Sequence, residues 1–115
     1  MIRVCIAGAT GWAGSELARA VAKTQDLALV SAVSRTNAGR TLGQLFGEPT
    51  IATPIFASVG DALAAPCDVV VEYTGPDSAK ANILTALEHR CHVVVGTSGL
   101  AEDDFAEIDK SFWRR

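Results

Sequence analysis

Residues 2–14 read Ile-Arg-Val-Cys-Ile-Ala-Gly-Ala-Thr-Gly-Trp-Ala-Gly, and they decide the fold. The first six residues form the apolar run of a buried strand, and Gly8, Gly11 and Gly14 follow directly, at the start of a stretch with helical spacing. A strand, a glycine turn and a helix N-terminus in this order direct several backbone N–H groups and the positive end of the helix dipole to one point. The stretch therefore predicts a dinucleotide-binding turn, in which the second glycine of the usual pattern is displaced by one position.

Strand and helix patterns alternate along the rest of the chain, which is typical of a doubly wound parallel sheet. Residues 35–54 are rich in glycine and threonine, and only a short turn at Leu42–Phe46 is assigned there. Strands are predicted at 2–7, Leu27–Val33, Pro54–Ala57, Asp68–Tyr73 and His92–Val95. Helices are predicted at 11–24, after a capping box at Ser58–Asp61, from Pro76 onward, and at about 102–112.

Apolar spacing predicts which side of each longer helix is buried. The first helix is expected to bury Ala13, Leu17, Ala20 and Val21. The helix that begins at Pro76 is expected to bury Ala79, Ile83, Ala86 and Leu87. No strand pattern follows the last helical stretch, so we predict a Rossmann-type α/β sheet that is truncated before its last strand.

Length and composition narrow the class of protein. A chain of 115 residues is long enough for one domain with a core, and its net charge of −3 argues against a broad nucleic-acid interface. No apolar run approaches the length of a membrane span. Three cysteines without Cys-x-x-Cys spacing predict neither disulfides nor zinc, and His89 and His92 alone do not predict a metal site. We therefore expect a cytoplasmic protein with small-molecule ligands.

The loop after the second strand predicts which dinucleotide is bound. An acidic residue about 20 positions after the glycine turn normally binds the ribose 2′-hydroxyl of NAD, but Ser34, Arg35 and Thr36 stand there. Asp26 comes too early, before the strand. A guanidinium with flanking hydroxyls can pair with a 2′-phosphate, which indicates NADP. The alternative is that Arg35 is an ordinary exposed loop arginine.

Two further loops should meet the glycine turn, because the carboxyl ends of parallel strands share one edge of the sheet. Tyr73-Thr74-Gly75-Pro76 follows the fourth strand, and Gly96-Thr97-Ser98-Gly99 follows the fifth. Their hydroxyls and N–H groups suit the nicotinamide end of a cofactor. Alternatively, Thr74 and Ser98 cap helices and Thr97 satisfies a local turn. Trp12 is expected to be exposed or half-buried in the phosphate loop and to serve packing and not recognition.

These motifs together resemble one family. Residues 8–14, Glu72-Tyr73-Thr74-x-Pro76 and Val94-Val95-Gly96-Thr97-Ser98-Gly99 are similar to the cofactor-binding half of bacterial 4-hydroxy-tetrahydrodipicolinate reductase, also called dihydrodipicolinate reductase, of the diaminopimelate route to lysine. The resemblance covers essentially the whole chain. The chain departs from the family at Gly75, where a larger polar or basic residue is common, and at Glu72, where Asp is common.

The resemblance implies a division of the site. The pyrophosphate would be surrounded by Gly8, Thr10, Gly11, Trp12, Ala13 and Gly14. The adenosine ribose would meet Ser34 and Arg35. The nicotinamide would face Tyr73, Thr74, Gly96, Thr97 and Ser98, with Thr97 also near the substrate. The cofactor would be NADP(H), with NAD(H) as the alternative. Residues 1–115 would form one NAD(P)-binding domain, and a second domain outside the chain would hold the substrate pocket and catalytic groups. The full-length protein would be a homo-oligomer.

Two other interpretations stay open on sequence alone. Residues 8–17 with Ser34–Arg40 also resemble the N-terminal part of N-acetyl-glutamyl-phosphate reductase and aspartate-semialdehyde dehydrogenase, which use NADP and a catalytic cysteine. The second half of the chain does not follow that pattern. The other interpretation is a nucleotide-binding regulatory module without catalytic activity.

Overall fold

A computed structural model describes residues 1–96, in which strands and helices alternate along the chain. The strands are β1 (Ile2–Ala7), β2 (Leu27–Val33), β3 (Ile55–Phe56), β4 (Val69–Glu72) and β5 (His92–Val95). The helices are α1 (Trp12–Ala22), α2 (Leu42–Phe46), α3 (Val59–Ala62) and α4 (Pro76–Glu88). The predicted helix at about 102–112 lies outside the described residues.

The strands form one parallel sheet in the order β3-β2-β1-β4-β5. This order, in which the chain starts in the middle and builds outward in both directions, is that of a doubly wound Rossmann sheet, so the predicted fold class is confirmed. Ala7 is paired with Val33 on one side and with Glu72 on the other, and Glu72 is paired with Val95. The ends of four strands are therefore in register, and the loops that follow them start from one edge.

Side chains alternate between two cores along each strand. Val4 and Ile6 of β1 pack with α1 and α2 on one face, while Cys5 and Ala7 pack with α3 and α4 on the other. Cys5 is fully buried in its strand, as a small apolar side chain would be. A sheet covered on both faces explains the nearly continuous apolar sequence of β4.

The buried side of α4 is confirmed, and that of α1 is confirmed only in part. Ala79, Ile83, Ala86 and Leu87 are all buried. In α1, Ala13 and Ala20 are exposed, whereas Gly14, Ala18 and Val21 are buried and Leu17 is half-buried. The physical reason is that Gly14 packs on the main chain of the glycine turn, and this contact rotates the helix toward the stripe Gly14, Ala18, Val21.

The predicted turn at Leu42–Phe46 is an α-helix with a complete capping box. Thr41 Oγ1 accepts the Gln44 N–H at 3.2 Å, and Gln44 Oε1 accepts the Thr41 N–H at 3.0 Å. The capping box predicted at Ser58–Asp61 is only half formed: Ser58 Oγ accepts the Asp61 N–H at 3.1 Å, and the structure shows no reciprocal bond from Asp61. Aspartate is one methylene shorter than the glutamate that usually closes this motif.

Candidate functional site

A cleft of about 570 Å3 opens at the edge where the carboxyl ends of the strands meet. Its lining comes from the loops after β1 to β4 and from the first two turns of α4: Gly8, Gly11, Val33, Ser34, Arg35, Thr36, Ala57, Ser58, Tyr73, Thr74, Gly75, Asp77, Ser78, Ala81 and Asn82. Ligands of open α/β sheets bind at this edge, where the strand order reverses between β1 and β4.

The fold leaves no room for a side chain at Gly8 or at Gly14. Gly8 has a φ of +84°, and a Cβ there would lie 2.7 Å from the carbonyl carbon and oxygen of Tyr73. A Cβ at Gly14 would overlap the Gly8 carbonyl oxygen and lie 2.8 Å from the Gly8 carbonyl carbon. The two glycines thus let β4 and α1 pack directly on the turn after β1.

Gly11 is a different case, because neither its backbone angles nor its packing demands glycine. Its φ is −73°, and a Cβ there would meet only the Gly8 carbonyl oxygen, at an ordinary 3.4 Å. Gly11 is the N-cap of α1, makes no side-chain cap, and lines the cleft. A side chain at this position would fill the cleft at the helix N-terminus, so the missing side chain leaves that space for a ligand.

The N-terminus of α1 reaches the cleft through its N-cap, Gly11, whereas residues 12–14 do not line the cleft. The helical hydrogen-bond ladder starts with Ser15 N–H to the Gly11 carbonyl, at 2.8 Å, so the amides of residues 12–14 precede the ladder. The positive end of the helix dipole lies at the same point. Trp12 is 90% exposed, which agrees with the expectation of an exposed or half-buried residue but leaves its indole little part in packing. Ala13 is exposed beside it.

Hydroxyl groups connect the glycine turn to the loop after β2. Thr10 Oγ1 donates to Ser34 Oγ at 3.1 Å, and Asn37 Nδ2 donates to the same oxygen at 3.3 Å. Arg35 is exposed, lines the cleft, and makes no ion pair within the described residues. Asp26 lies before β2, at the opposite edge of the sheet. One cation and several hydroxyls therefore occupy the region where the sequence predicted a 2′-phosphate.

The buried carboxylate of Glu72 holds the loop after β4 in place. Glu72 is fully buried, and its Oε1 accepts both the N–H of Thr74, at 2.6 Å, and the Thr74 hydroxyl. Asn82 of α4 donates to the same hydroxyl at 3.5 Å. Thr74 does not cap α4, since the N-cap is Gly75 without a side-chain hydrogen bond. The capping alternative for Thr74 is thus excluded.

The ring of Tyr73 packs directly on Gly96, at the end of β5. A Cβ at Gly96 would lie 2.8 Å from Tyr73 Cδ1 and closer still to the rest of that ring edge. The structure thus brings the predicted residues Tyr73, Thr74 and Gly96 together at one end of the cleft. Thr97 and Ser98, which were predicted to complete this end, lie outside the described residues.

Sequence reasoning missed part of the cleft wall. Ala57 and Ser58 follow the two-residue strand β3, which ends one residue earlier than the predicted strand, and Ser78, Ala81 and Asn82 lie on one side of α4. The spacing of 78, 81 and 82 is that of a single helix face, and this was the signal that could have found them.

The ionisable side chains that line the cleft within residues 1–96 are those of Arg35, Tyr73 and Asp77. Its lining within residues 1–96 contains no histidine, cysteine or lysine. The described residues hold no cluster of three or more His, Cys, Asp or Glu that could bind a metal ion. Burial raises the pKa of the Cys5 thiol to about 12 and that of Cys67 to about 11, so neither is a thiolate at neutral pH.

A salt bridge stabilises the opposite edge of the sheet. Arg3 Nε and Nη2 donate to Asp68 Oδ2 and Oδ1 at 3.1 and 2.9 Å, and the Arg3 N–H donates to Oδ2 at 2.8 Å. These hydrogen bonds lower the pKa of Asp68 to about 2. The pair joins the beginnings of β1 and β4.

None of the helices described in residues 1–96 is long and apolar enough to cross a bilayer.

Comparison with known families places this cleft in a group of reductases. A family model described as "Dihydrodipicolinate reductase, N-terminus" matches residues 2–113. The chain belongs to the dihydrodipicolinate reductase family. The resemblance inferred from the motifs is thereby confirmed. The match runs through both halves of the chain, whereas the pattern of the aspartate-semialdehyde dehydrogenase group ended in the first half, so the family assignment is favoured over that alternative.

Relatives and solved structures agree on the family and the fold. The 4-hydroxy-tetrahydrodipicolinate reductase of Thermosynechococcus vestitus is 32% identical over 112 residues, covering 93% of this chain and 41% of that protein. Dipicolinate-bound dihydrodipicolinate reductase from Paenisporosarcina sp. TG-14 superposes with a TM-score of 0.76 at 22% identity, covering 96% of this chain and 43% of that one.

A scyllo-inositol dehydrogenase from Lactobacillus casei, solved with NAD(H) and scyllo-inositol, has the same fold. Its TM-score is 0.81 at 21% identity, covering 99% of this chain and 33% of that one. The family and the fold are thus shown. This chain spans about two fifths of the length of the Thermosynechococcus relative.

Proposed function

We propose that this chain is the cofactor-binding part of a 4-hydroxy-tetrahydrodipicolinate reductase and that it binds NADP(H). The observation that carries the proposal is Gly11: a glycine that the fold does not require stands at the N-cap of α1 and lines the cleft. The positive end of the helix dipole at this N-terminus favours a pyrophosphate. Family membership supports the same conclusion.

The proposed contacts follow the cleft from the glycine turn outward. The pyrophosphate would lie against the main chain of Gly8, Thr10, Gly11, Trp12, Ala13 and Gly14. Ser34 and Arg35 would bind the adenosine ribose and its 2′-phosphate, because a guanidinium and a hydroxyl both donate to phosphate oxygens. Tyr73, Thr74, Gly96, Thr97 and Ser98 would hold the nicotinamide end, with Thr97 closest to the substrate.

The bound cofactor would supply a hydride to a cyclic dicarboxylate. The chain's own residues would orient it, and the loop held by Glu72 and Thr74 would fix the position of its reactive end. We further propose that residues 1–115 form the NAD(P)-binding domain and that a second domain provides the substrate pocket and the proton donor. The support is twofold: the cleft lining in residues 1–96 offers no histidine or lysine, and the Thermosynechococcus relative is more than twice as long.

Turnover measurements on the 115-residue chain test this proposal. The chain is mixed with NADPH and enzymatically generated 4-hydroxy-tetrahydrodipicolinate, and the loss of the reduced nicotinamide absorbance is followed. We expect cofactor binding with little or no oxidation of NADPH, since hydride transfer needs a closed site that holds both reactants in contact. Full reductase activity of this chain alone would contradict the proposal that a second domain provides the substrate pocket and the proton donor.

A further inference from the structure

Asn37 stands behind the two hydroxyl groups that flank Arg35. Its Nδ2 donates to Ser34 Oγ at 3.3 Å and to Thr36 Oγ1 at 3.2 Å. Ser34, Arg35 and Thr36 line the cleft, but Asn37 does not. Because Asn37 lies outside the cleft lining, the route from its side chain to a ligand in the cleft runs through the hydroxyls to which it donates.

The donors around Ser34 determine what its hydroxyl can offer a ligand. A hydroxyl oxygen accepts at two lone pairs and donates one proton. Ser34 Oγ receives one hydrogen bond from Asn37 and another from Thr10 Oγ1, at 3.1 Å. Both lone pairs are then engaged, and the proton of Ser34 is left for donation toward Thr36 Oγ1, which lies 3.4 Å away, or into the cleft.

We infer that Asn37 is a positioning residue for cofactor selection, which sets Ser34 and Thr36 as hydrogen-bond donors beside the Arg35 guanidinium. The inference rests on the proposed NADP(H) function. A phosphate group offers only acceptor oxygens, so it gains from donors that are already oriented toward it. A ribose hydroxyl both donates and accepts, and it gains little from this arrangement. Asn37 therefore favours NADPH over NADH without touching either.

The substitution Asn37→Asp tests the inference because it replaces the donating amide with an acceptor of the same size. Ser34 and Thr36 would then donate to the carboxylate and no longer to the ligand. We expect the NADPH dissociation constant to rise about tenfold, whereas that of NADH stays within error. Asn37→Leu removes the donor without adding charge. It should also lower the preference for NADPH over NADH, by a smaller factor than Asn37→Asp.

The matched control is Ala38→Asp, which places the same charge on the exposed neighbouring residue and leaves the hydroxyl network intact. The inference requires Asn37→Asp to cost clearly more NADPH affinity than Ala38→Asp. Equal losses in the two variants would show a simple charge effect, and equal losses of NADPH and NADH in Asn37→Asp would show a structural effect; either result overturns the inference. Failure of the unsubstituted chain to bind either cofactor would overturn the proposed function and this inference with it.

Discussion

The carbonyl group of Gly8 lies directly against Gly14 in the first turn of α1, with no space for a Cβ between them. This contact seats the helix on the turn after β1. It also directs the N-terminus of α1 into the cleft, where Gly11 leaves it open. The three glycines of the turn thus have different tasks, and the same substitution should have different effects at each.

Gly14→Ala should reduce stability, and Gly11→Ala should reduce binding. The methyl group of an alanine at position 14 would overlap the Gly8 carbonyl, and forced overpacking of this kind costs about 1–3 kcal/mol in the free energy of unfolding. At Gly11 the methyl group meets only an ordinary contact, so the change in stability should stay within about 1 kcal/mol. Urea unfolding measures the first effect, and NADPH titration the second.

The two alanine variants serve as controls for each other. Gly11→Ala should raise the NADPH dissociation constant about tenfold in a protein that still unfolds normally, because the methyl group separates the phosphate from the backbone amides. If Gly11→Ala binds NADPH as tightly as the unsubstituted chain, the pyrophosphate does not lie at this helix N-terminus.

The contrast among these glycines could not have been predicted from sequence. All three match the spacing of the dinucleotide-binding turn, but only the packed structure shows that Gly14 contacts Gly8 and that Gly11 has free space. The same contact explains why the buried side of α1 was predicted only in part. Alanine is compatible with both the buried and the exposed side of a helix, so Ala13 and Ala20 did not indicate which side of α1 is buried. In α4, the large apolar residues Ile83 and Leu87 identified the buried side, and that prediction is confirmed.

Long-range contacts explain the segment that sequence patterns left unassigned. Within residues 35–54, the N–H of Gly43 donates to the Ile51 carbonyl and that of Leu42 to the Thr53 carbonyl, both at 2.9 Å. Such bonds follow no local periodicity. For the site, the sequence predicted the loops after β1, β2, β4 and β5, since these follow strand ends. It could not predict that one face of α4 forms a cleft wall.

Arg35→Ala should weaken NADPH binding far more than NADH binding. A charge-assisted hydrogen bond to phosphate contributes about 1.5–3 kcal/mol, so the NADPH dissociation constant should rise about 10- to 100-fold. Fluorescence titration with both cofactors measures the ratio. Arg40→Ala is the matched control, because Arg40 is also an exposed arginine of this loop but does not line the cleft. Equal loss of both cofactors in Arg35→Ala would refute the 2′-phosphate assignment.

The Arg3–Asp68 salt bridge should make stability depend on pH in the acid range. The folded-state pKa of Asp68 is about 2, below its ordinary value of 3.8, so its contribution is complete above about pH 4 and is lost as the pH falls toward 2. Urea unfolding of Asp68→Asn should show lower stability than the unsubstituted chain at pH 7, and the difference should shrink between pH 4 and pH 2. Asp26→Asn, at an exposed position, provides the control. A difference that does not change with pH would contradict the assignment.

The cysteines should react slowly in the folded protein. Burial raises the pKa values of Cys5 and Cys67 to about 12 and 11, and only the thiolate is alkylated. Mass spectrometry after iodoacetamide treatment at pH 8 should find Cys5 and Cys67 unmodified in the native chain and both labelled in urea. Rapid labelling of Cys5 under native conditions would contradict the burial seen in the structure.

Calorimetric titration of the chain with NADPH and then with NADH, after circular dichroism has shown that the sample is folded, tests the central claim most directly. If the amides at the start of α1 hold a pyrophosphate, both titrations give saturable heat at one site per chain, and NADPH binds more tightly. A folded sample that gives no binding heat with either nucleotide would contradict the claim.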